Sequence, residues 1–300
     1  MKYDWKDAGE EWSEPWGNSA AQWFGAILPR VEECLPARII LEIGAGFGRW
    51  THYLRDNCEH LLALDRKEEC IDACRQRFAG DPRLSYYVND GRSLSMLSDD
   101  SIDFVFSFDS LVHPARDVLE DYLSELGRKL KIGAKGFVHH SNLGQYANSM
   151  RERLPRSMRK LLRKARILDW EHNRNPTMCA SLFREFCAWS GLHCLRQELV
   201  NWRGRRLIDC FSWFERNPSS EQAATEIVRN PNFMHEAAQI RRQSQRGLTG
   251  EGGDEHPNLT RWEVIIIPAG VRDRFTNRAA KPAVTFNVYS PPEYPAGTKS

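Results

Sequence analysis

Ala37-Arg-Ile-Ile-Leu-Glu-Ile-Gly-Ala-Gly-Phe-Gly-Arg49 decides how this chain is read. Ile39, Ile40, Leu41 and Ile43 form a short, β-branched apolar run, the pattern of a strand buried on both faces of a parallel sheet. The run ends in Gly44-x-Gly46-x-Gly48 and gives way to a helical spacing at Trp50, Tyr53 and Leu54. Strand, glycine turn and helix make a nucleotide-type cradle, because glycine tolerates positive φ and lets a ligand approach the backbone closely. Glu42 stands just before the turn. The third glycine falls one position early for the dinucleotide fingerprint Gly-x-Gly-x-x-Gly, so no pyrophosphate need be held here.

Outward from this unit the chain alternates strands and helices. His60-Leu-Leu-Ala-Leu-Asp65 is a second apolar run ending in an acid, 19 residues after Gly46. A βαβ unit places there the carboxylate that accepts two ribose hydroxyls at once. A helix with Cys70, Ile71, Cys74 and Phe78 on one face follows, then Leu84–Val88 and the turn Asn89-Asp90-Gly91. Ile102–Phe108 reads as a fourth strand leading into Asp109 and His113. A helix carrying Val118, Tyr122, Leu126 and Leu130 precedes a fifth strand, Gly136–Asn142. Leu192–Trp202 and Arg206–Arg216, joined by Arg203-Gly204-Arg205, read as a hairpin. Ligands of an open α/β sheet sit beyond the carboxyl ends of its strands, so topology brings Asp109, His113, His139, His140 and Asn142 to one rim.

Glu-x-Gly-x-Gly-x-Gly at 42–48 resembles motif I of class I S-adenosylmethionine (SAM) methyltransferases, and Asp90-Gly91 resembles their motif II. The resemblance covers residues 37–216. It implies an α/β, doubly wound, mostly parallel seven-stranded sheet (Rossmann-like) closed by an antiparallel hairpin. It also implies SAM contacts from Glu42, Gly44, Ala45, Gly46, Gly48, Arg49, Asp65, Arg66, Asp90, Gly91 and Phe108, with Asp90 taking the adenine amino group. The strings at 106–113, 139–144 and 198–202 resemble bacterial sugar and polysaccharide O-methyltransferases. By that likeness the acceptor is a saccharide hydroxyl, with Arg174 and Asn142 as substrate contacts. Methyl transfer to nitrogen or a phenolic oxygen of a biosynthetic small molecule, and a non-catalytic SAM-binding role, are the alternatives.

A hydroxyl is a poor nucleophile near neutral pH, so the chemistry calls for a base, and histidine titrates in the right range. His139 and His140 are adjacent in a strand and must point to opposite faces. His140, nearer the strand end, is the first candidate; His113 and His139 follow. Asp109 would orient the histidine or hold a divalent ion such as Mg, and metal dependence is left open.

Four domain-level segments are expected. Residues 1–36, with Trp5, Trp12, Trp16 and Trp23, read as a helical lid, the helix running from about Ser19 to Cys34. Residues 37–216 are the methyltransferase domain, in which 143–180 is a basic cap insertion. Residues 217–256 read as a helix (about 230–242) and a linker. Residues 257–300 resemble half of a cupin in which Asp273 stands where cupins carry a metal-binding histidine, so no metal is expected there. That tail suggests a homodimer contact.

Eight cysteines without metal-type CxxC pairs read as reduced thiols of a cytoplasmic protein. A formal charge of +2 argues against nucleic acid as a partner, and no apolar run is long enough for a membrane helix.

Overall fold

The computed structural model describes residues 7–147, 158, 173–202, 204–217 and 223–248. The half-cupin reading of 257–300, with its homodimer contact, falls outside them, as does the charged stretch of the basic insertion apart from Met158.

The first strand forms where its composition says, β1 (Ala37–Ile43). It pairs in parallel with β2 (Cys58–Asp65) on one side and β4 (Ile102–Ser107) on the other. Beyond β2 lies β3 (Leu84–Val88), also parallel. Beyond β4 lies β5 (Leu130–Ser141), again parallel. The hairpin then follows, with β7 (Asp209–Arg216) antiparallel both to β5 and to β6 (Leu192–Val200). The strand order is β3-β2-β1-β4-β5-β7-β6-β8. The chain reverses direction in the order between β1 and β4, which is the switch point where such sheets open to a ligand.

Among the described residues the sheet has eight strands where seven were expected. β8 (Glu226–Asn230) runs parallel to β6 inside residues 217–256, the stretch read as helix and linker. It is a five-residue, largely exposed edge strand, EIVRN, and edge strands are kept short and charged against further pairing. That composition hides the alternation by which a buried strand is recognised.

Each face of the sheet has its own cover. On one, β1 to β7 present Ile40, Ala63, Phe104, Phe106, Phe137 and Phe211 to the N-terminal segment. On the other, Leu41, Ile43, Leu64, Val105, Val138 and Phe214 meet α5 (Arg116–Lys129) and α6 (Ala180–Trp189). The N-terminal segment begins with a 3-10 stretch, Glu10–Trp16. It continues as α1 (Ser19–Gln22), a π-helical turn (Trp23–Ile27), α2 (Leu28–Val31) and a last 3-10 turn, Glu32–Cys34. Asn18 starts it, its side-chain oxygen accepting from the Ala21 amide at 2.7 Å, as an N-cap does.

Arg30 ties this segment down. Its guanidinium makes a two-pronged bond to Glu198 of β6 at 2.8 and 2.7 Å and lies over the Phe211 and Phe233 rings. Phe233 opens α7 (Phe233–Leu248), which packs beside the segment through Ala237 and Ile240. The first two helices between strands are α3 (Thr51–Leu54), a single turn after the glycine loop, and α4 (Glu68–Arg77). All eight cysteines are free thiols, and no described helix is long and apolar enough to cross a membrane.

Gly136 shows how tightly the sheet centre is filled. A methyl group there would sit 2.3 Å from Phe214 and 2.6 Å from Val105. Gly136→Ala is therefore expected to cost about 1–3 kcal/mol of overpacking, read as a lower urea midpoint at unchanged slope.

Candidate active site

The glycine loop closes against its own strand. Gly44 and Gly48 hold φ of 81° and 83°, values that L side chains avoid. A β-carbon on Gly44 would also lie 1.9 Å from the Ser110 Oγ, and one on Gly48 would lie 2.5 Å from the Phe78 ring. The Gly46 amide donates to Asp65 at 3.0 Å, so the acid of β2 already sits against the loop. Its other oxygen accepts from the Lys67 amide at 2.9 Å. Arg66 is exposed beside Gly91.

Glu42 is buried. Thr51 donates to one carboxyl oxygen at 2.5 Å, while the other, Oε1, has no partner. Burial raises this carboxyl to a pKa of about 7. Asp90 is different: exposed, it accepts from the Arg92 and Ser93 amides at 2.8 and 2.7 Å. Those bonds lower its pKa and shape the turn in which Gly91 takes φ 84°.

At the ends of β4, β5 and β7 five charged or titratable groups share a buried cluster. Asp109 sits at φ 65°, where only a tight turn puts a non-glycine residue. Arg49 donates to it at 3.2 Å and lies 4.3 Å from the centre of the Trp50 ring. The other end of Arg49 reaches Ser13 at 3.2 Å. Arg174 makes a two-pronged bond to Asp209 at 2.8 and 3.1 Å, and its guanidinium lies over Trp202 at 4.7 Å.

His139 stands between the two carboxylates. Its Nδ1 accepts from the Asp109 amide at 3.3 Å, which assigns the ring hydrogen to Nε2, and Nε2 lies 3.7 Å from Asp209. Its ring packs on Phe108 at 4.7 Å and on Trp202 at 5.5 Å. Arg49 and His139, together with Arg174, hold the Asp109 carboxyl below its ordinary pKa, against the burial that would raise it.

His140 does not reach this cluster. It points to the opposite face, stacked on Phe183 of α6 at 4.4 Å, with Nε2 2.8 Å from Ser212 Oγ and Nδ1 2.9 Å from the Ser141 carbonyl. Burial lowers its pKa to about 3, so it stays neutral. Asn142 also turns to structure: it donates to the Leu207 carbonyl at 2.8 Å and accepts the Ala180 amide at 2.9 Å, starting α6. His113 is exposed, its Nδ1 3.1 Å from the Asn173 carbonyl. Of the rim residues expected from sequence, His139, Asp109 and Arg174 converge, with Arg49 and Phe108 alongside.

Asp209, Trp202 and Thr51 were not singled out in the sequence. The signal for Asp209 was present: an acid at the head of Leu207-Ile-Asp-Cys-Phe-Ser, in an otherwise apolar strand, needs a buried partner. Among the described residues no group of three or more His, Cys, Asp or Glu is placed to hold a metal ion.

Residues 40–133 match the family described as "Methyltransferase domain". Two wheat (Triticum aestivum) proteins, phosphoethanolamine N-methyltransferase 1 and phosphoethanolamine N-methyltransferase, are 29% and 28% identical over 157 and 155 residues. Each match covers 48% of this chain, and the chain spans only 31% of the length of either relative. Among solved structures, an S-adenosylmethionine dependent methyltransferase from Mesorhizobium loti is 18% identical at a TM-score of 0.47, covering 65% of this chain and 98% of its own. Magnesium protoporphyrin IX methyltransferase from Synechocystis, solved with bound S-adenosylhomocysteine, is 13% identical at 0.47, covering 72% and 90%. Residues 40–133 are thus similar to a methyltransferase domain, a likeness that implies SAM as cofactor. Its cradle fits that cofactor: a positive-φ glycine loop, Asp65 at the end of β2, and the unpartnered Oε1 of Glu42.

A substitution in the loop tests that fit. Gly44→Ala combines a strained φ with a collision at Ser110, and is expected to weaken S-adenosylhomocysteine binding at least tenfold by calorimetry.

Proposed function

We propose that this chain transfers the methyl group of SAM to a polar small molecule held at the ends of β4, β5 and β7, with His139 as proton acceptor. Glu42, Gly44, Gly46 and Asp65 would hold the cofactor, which supplies an electrophilic methyl on a sulfonium. The chain's own part is to place the acceptor, keep water out and take up a proton. Positioning of this kind supplies several kcal/mol of a displacement barrier.

The observation that carries the reading is the place of His139, on the face of the sheet that also holds Glu42 and the glycine loop. A proton taken up at Nδ1 would displace the Asp109 amide bond that this atom accepts, and would leave an imidazolium with a carboxylate oxygen at 3.7 Å on either side, from Asp109 and from Asp209. Arg49 and Arg174 fix those carboxylates in turn. The saccharide hydroxyl implied by the resemblance belongs to this acceptor class. A second reading, transfer to an amine nitrogen, is favoured by the names of the wheat relatives.

The test is methyl transfer from labelled SAM to saccharides, phenols and amines, with and without EDTA, comparing His139→Gln with His140→Gln. His139→Gln is expected to lose at least a hundredfold in turnover, within the range a general base contributes. His140→Gln should leave turnover within tenfold. The reverse ranking would return the base to His140, and label confined to amines would select the second reading.

A further inference from the structure

A cavity of about 340 Å³ opens where the ends of β5 and β6 meet β8 and the start of α6, with Arg184, Arg229, Tyr146 and Ser181 among its lining residues. That volume is at the low end of small-molecule sites, roughly 300–1,000 Å³. The cavity lies on the sheet face turned away from His139. Asn142 lines it and starts α6, the helix on which His140 stacks. Leu199 lines it too, two residues along β6 from Gln197, whose side chain donates to the Ala180 carbonyl of the same helix at 3.0 Å. Strand residues two apart share a face.

The wall is basic. Among the described residues that line it there is no Asp or Glu. Arg184 donates to the Gln197 side-chain oxygen at 2.5 Å, so a neutral group holds it and its charge is left uncompensated. Arg229 stands exposed on β8. The acids of β6 and β8 serve other arginines: Glu198 pairs with Arg30, and Glu226 with Arg196. A further guanidinium, that of Arg206, lies over the Tyr146 ring at 5.3 Å. Tyr146 accepts the Leu207 amide at 3.0 Å, which leaves its own hydroxyl hydrogen to donate. Ala180 and Ser181 open α6, so the positive end of the helix dipole adds to the same potential.

The floor is apolar. Leu199 and Leu207 are buried beneath the cavity, and Ile227 on the edge strand remains 50% exposed beside it. An inorganic anion would satisfy the arginines and leave this surface uncovered.

We propose that this cavity binds a small carboxylic acid with an apolar body. Arg184 and Arg229 take the carboxylate, and Leu199, Leu207 and Ile227 take the hydrocarbon. Guanidinium suits that headgroup because its planar fork donates two parallel bonds to a carboxylate. The site is separate from the His139 cluster and does not rest on the methyl-transfer reading.

The probe is 3-phenylpropionate, titrated against the full chain by NMR beside 3-phenylpropan-1-ol, acetate and inorganic phosphate. It should bind with a Kd of about 1 mM or tighter, and each of the other three at least tenfold more weakly. Arg184→Met and Arg229→Met should each weaken 3-phenylpropionate at least fivefold while S-adenosylhomocysteine affinity stays within twofold. Arg229 is exposed on an edge strand, so its variant keeps the test intact if Arg184→Met fails to fold. Equal binding of the alcohol would show that charge plays no part, and equal binding of acetate or phosphate would remove the apolar floor; either overturns the ligand class. No binding of 3-phenylpropionate, or an affinity that Arg229→Met leaves unchanged, would overturn the site. Loss of S-adenosylhomocysteine affinity in step with that of the probe would overturn its separateness from the cofactor cradle.

Discussion

Asp209→Leu is expected to destabilise the protein by about 3–5 kcal/mol, the loss seen when one partner of a buried ion pair is removed. Asp209 is fully buried and is the two-pronged partner of Arg174. Without it the Arg174 guanidinium keeps Asp109 at 3.7 Å, but that carboxylate already serves Arg49. Urea denaturation at pH 7 reads the loss directly. The double variant Arg174→Met with Asp209→Leu should recover most of it, since an apolar pair replaces a charge pair at little cost. If the double variant is no more stable than Asp209→Leu alone, the ion pair is not what the single substitution breaks.

The pH dependence follows from the same pair. Arg174 and His139 hold the Asp209 carboxyl well below its ordinary range, overcoming the burial that would raise it. Between the folded and unfolded pKa values the unfolded chain binds the additional proton, so stability rises with pH. The contribution is fully present above about pH 4, the unfolded value, and is lost as pH falls through the lower folded one. Asp109, also depressed, adds to it. Asp209→Leu should therefore show a shallower loss of stability below about pH 4 than the unaltered chain.

Much of this was legible from residues 37–49, because a buried parallel strand and a glycine turn leave marks that need no tertiary context. Asp65 could be placed by its spacing from Gly46, and it does bond to that residue's amide. The antiparallel hairpin could be read because two strand-like runs flank a Gly-containing turn. The choice between His139 and His140 could not. Period two says that they face opposite ways, but which face meets the site depends on what covers each, and that is set by residues 31 to 63 positions away. Phe183 claims His140, whereas Trp202 and Phe108 claim His139. Asn142 was hidden for a similar reason: its partners, Leu207 and Ala180, come from distant parts of the chain. The N-terminal tryptophans were visible as a cluster. That Trp16 and Gln22 end without partners is a property of the packed state alone.

Glu42→Gln is the second large effect, and its sign is opposite to that of Asp209. The buried carboxyl has a folded pKa of about 7 against 4.5 when unperturbed, with desolvation as the leading cause. Between those values the folded state keeps its proton while the unfolded chain releases one, so stability is highest below about pH 4.5 and falls until pH passes 7. The full loss is about 3 kcal/mol at 1.36 kcal/mol per unit. Glutamine carries no such proton and can still accept from Thr51, so the variant should lose this slope and be the more stable protein at pH 8. Urea midpoints at pH 5 and pH 8 measure the contrast, and a slope unchanged by Glu42→Gln would assign it to other groups. Cofactor binding adds the complementary result. The unpartnered Oε1 of Glu42 suits a cationic group, and S-adenosylhomocysteine carries an ammonium, so binding should ionise Glu42 and release up to one proton below pH 7. Affinity should then be roughly five- to tenfold tighter at pH 8 than at pH 6 in the unaltered chain. In Glu42→Gln affinity should be weaker and independent of pH across that range. Calorimetry in two buffers of different ionisation enthalpy counts the proton, and a count of zero at pH 6 would separate Glu42 from the ligand.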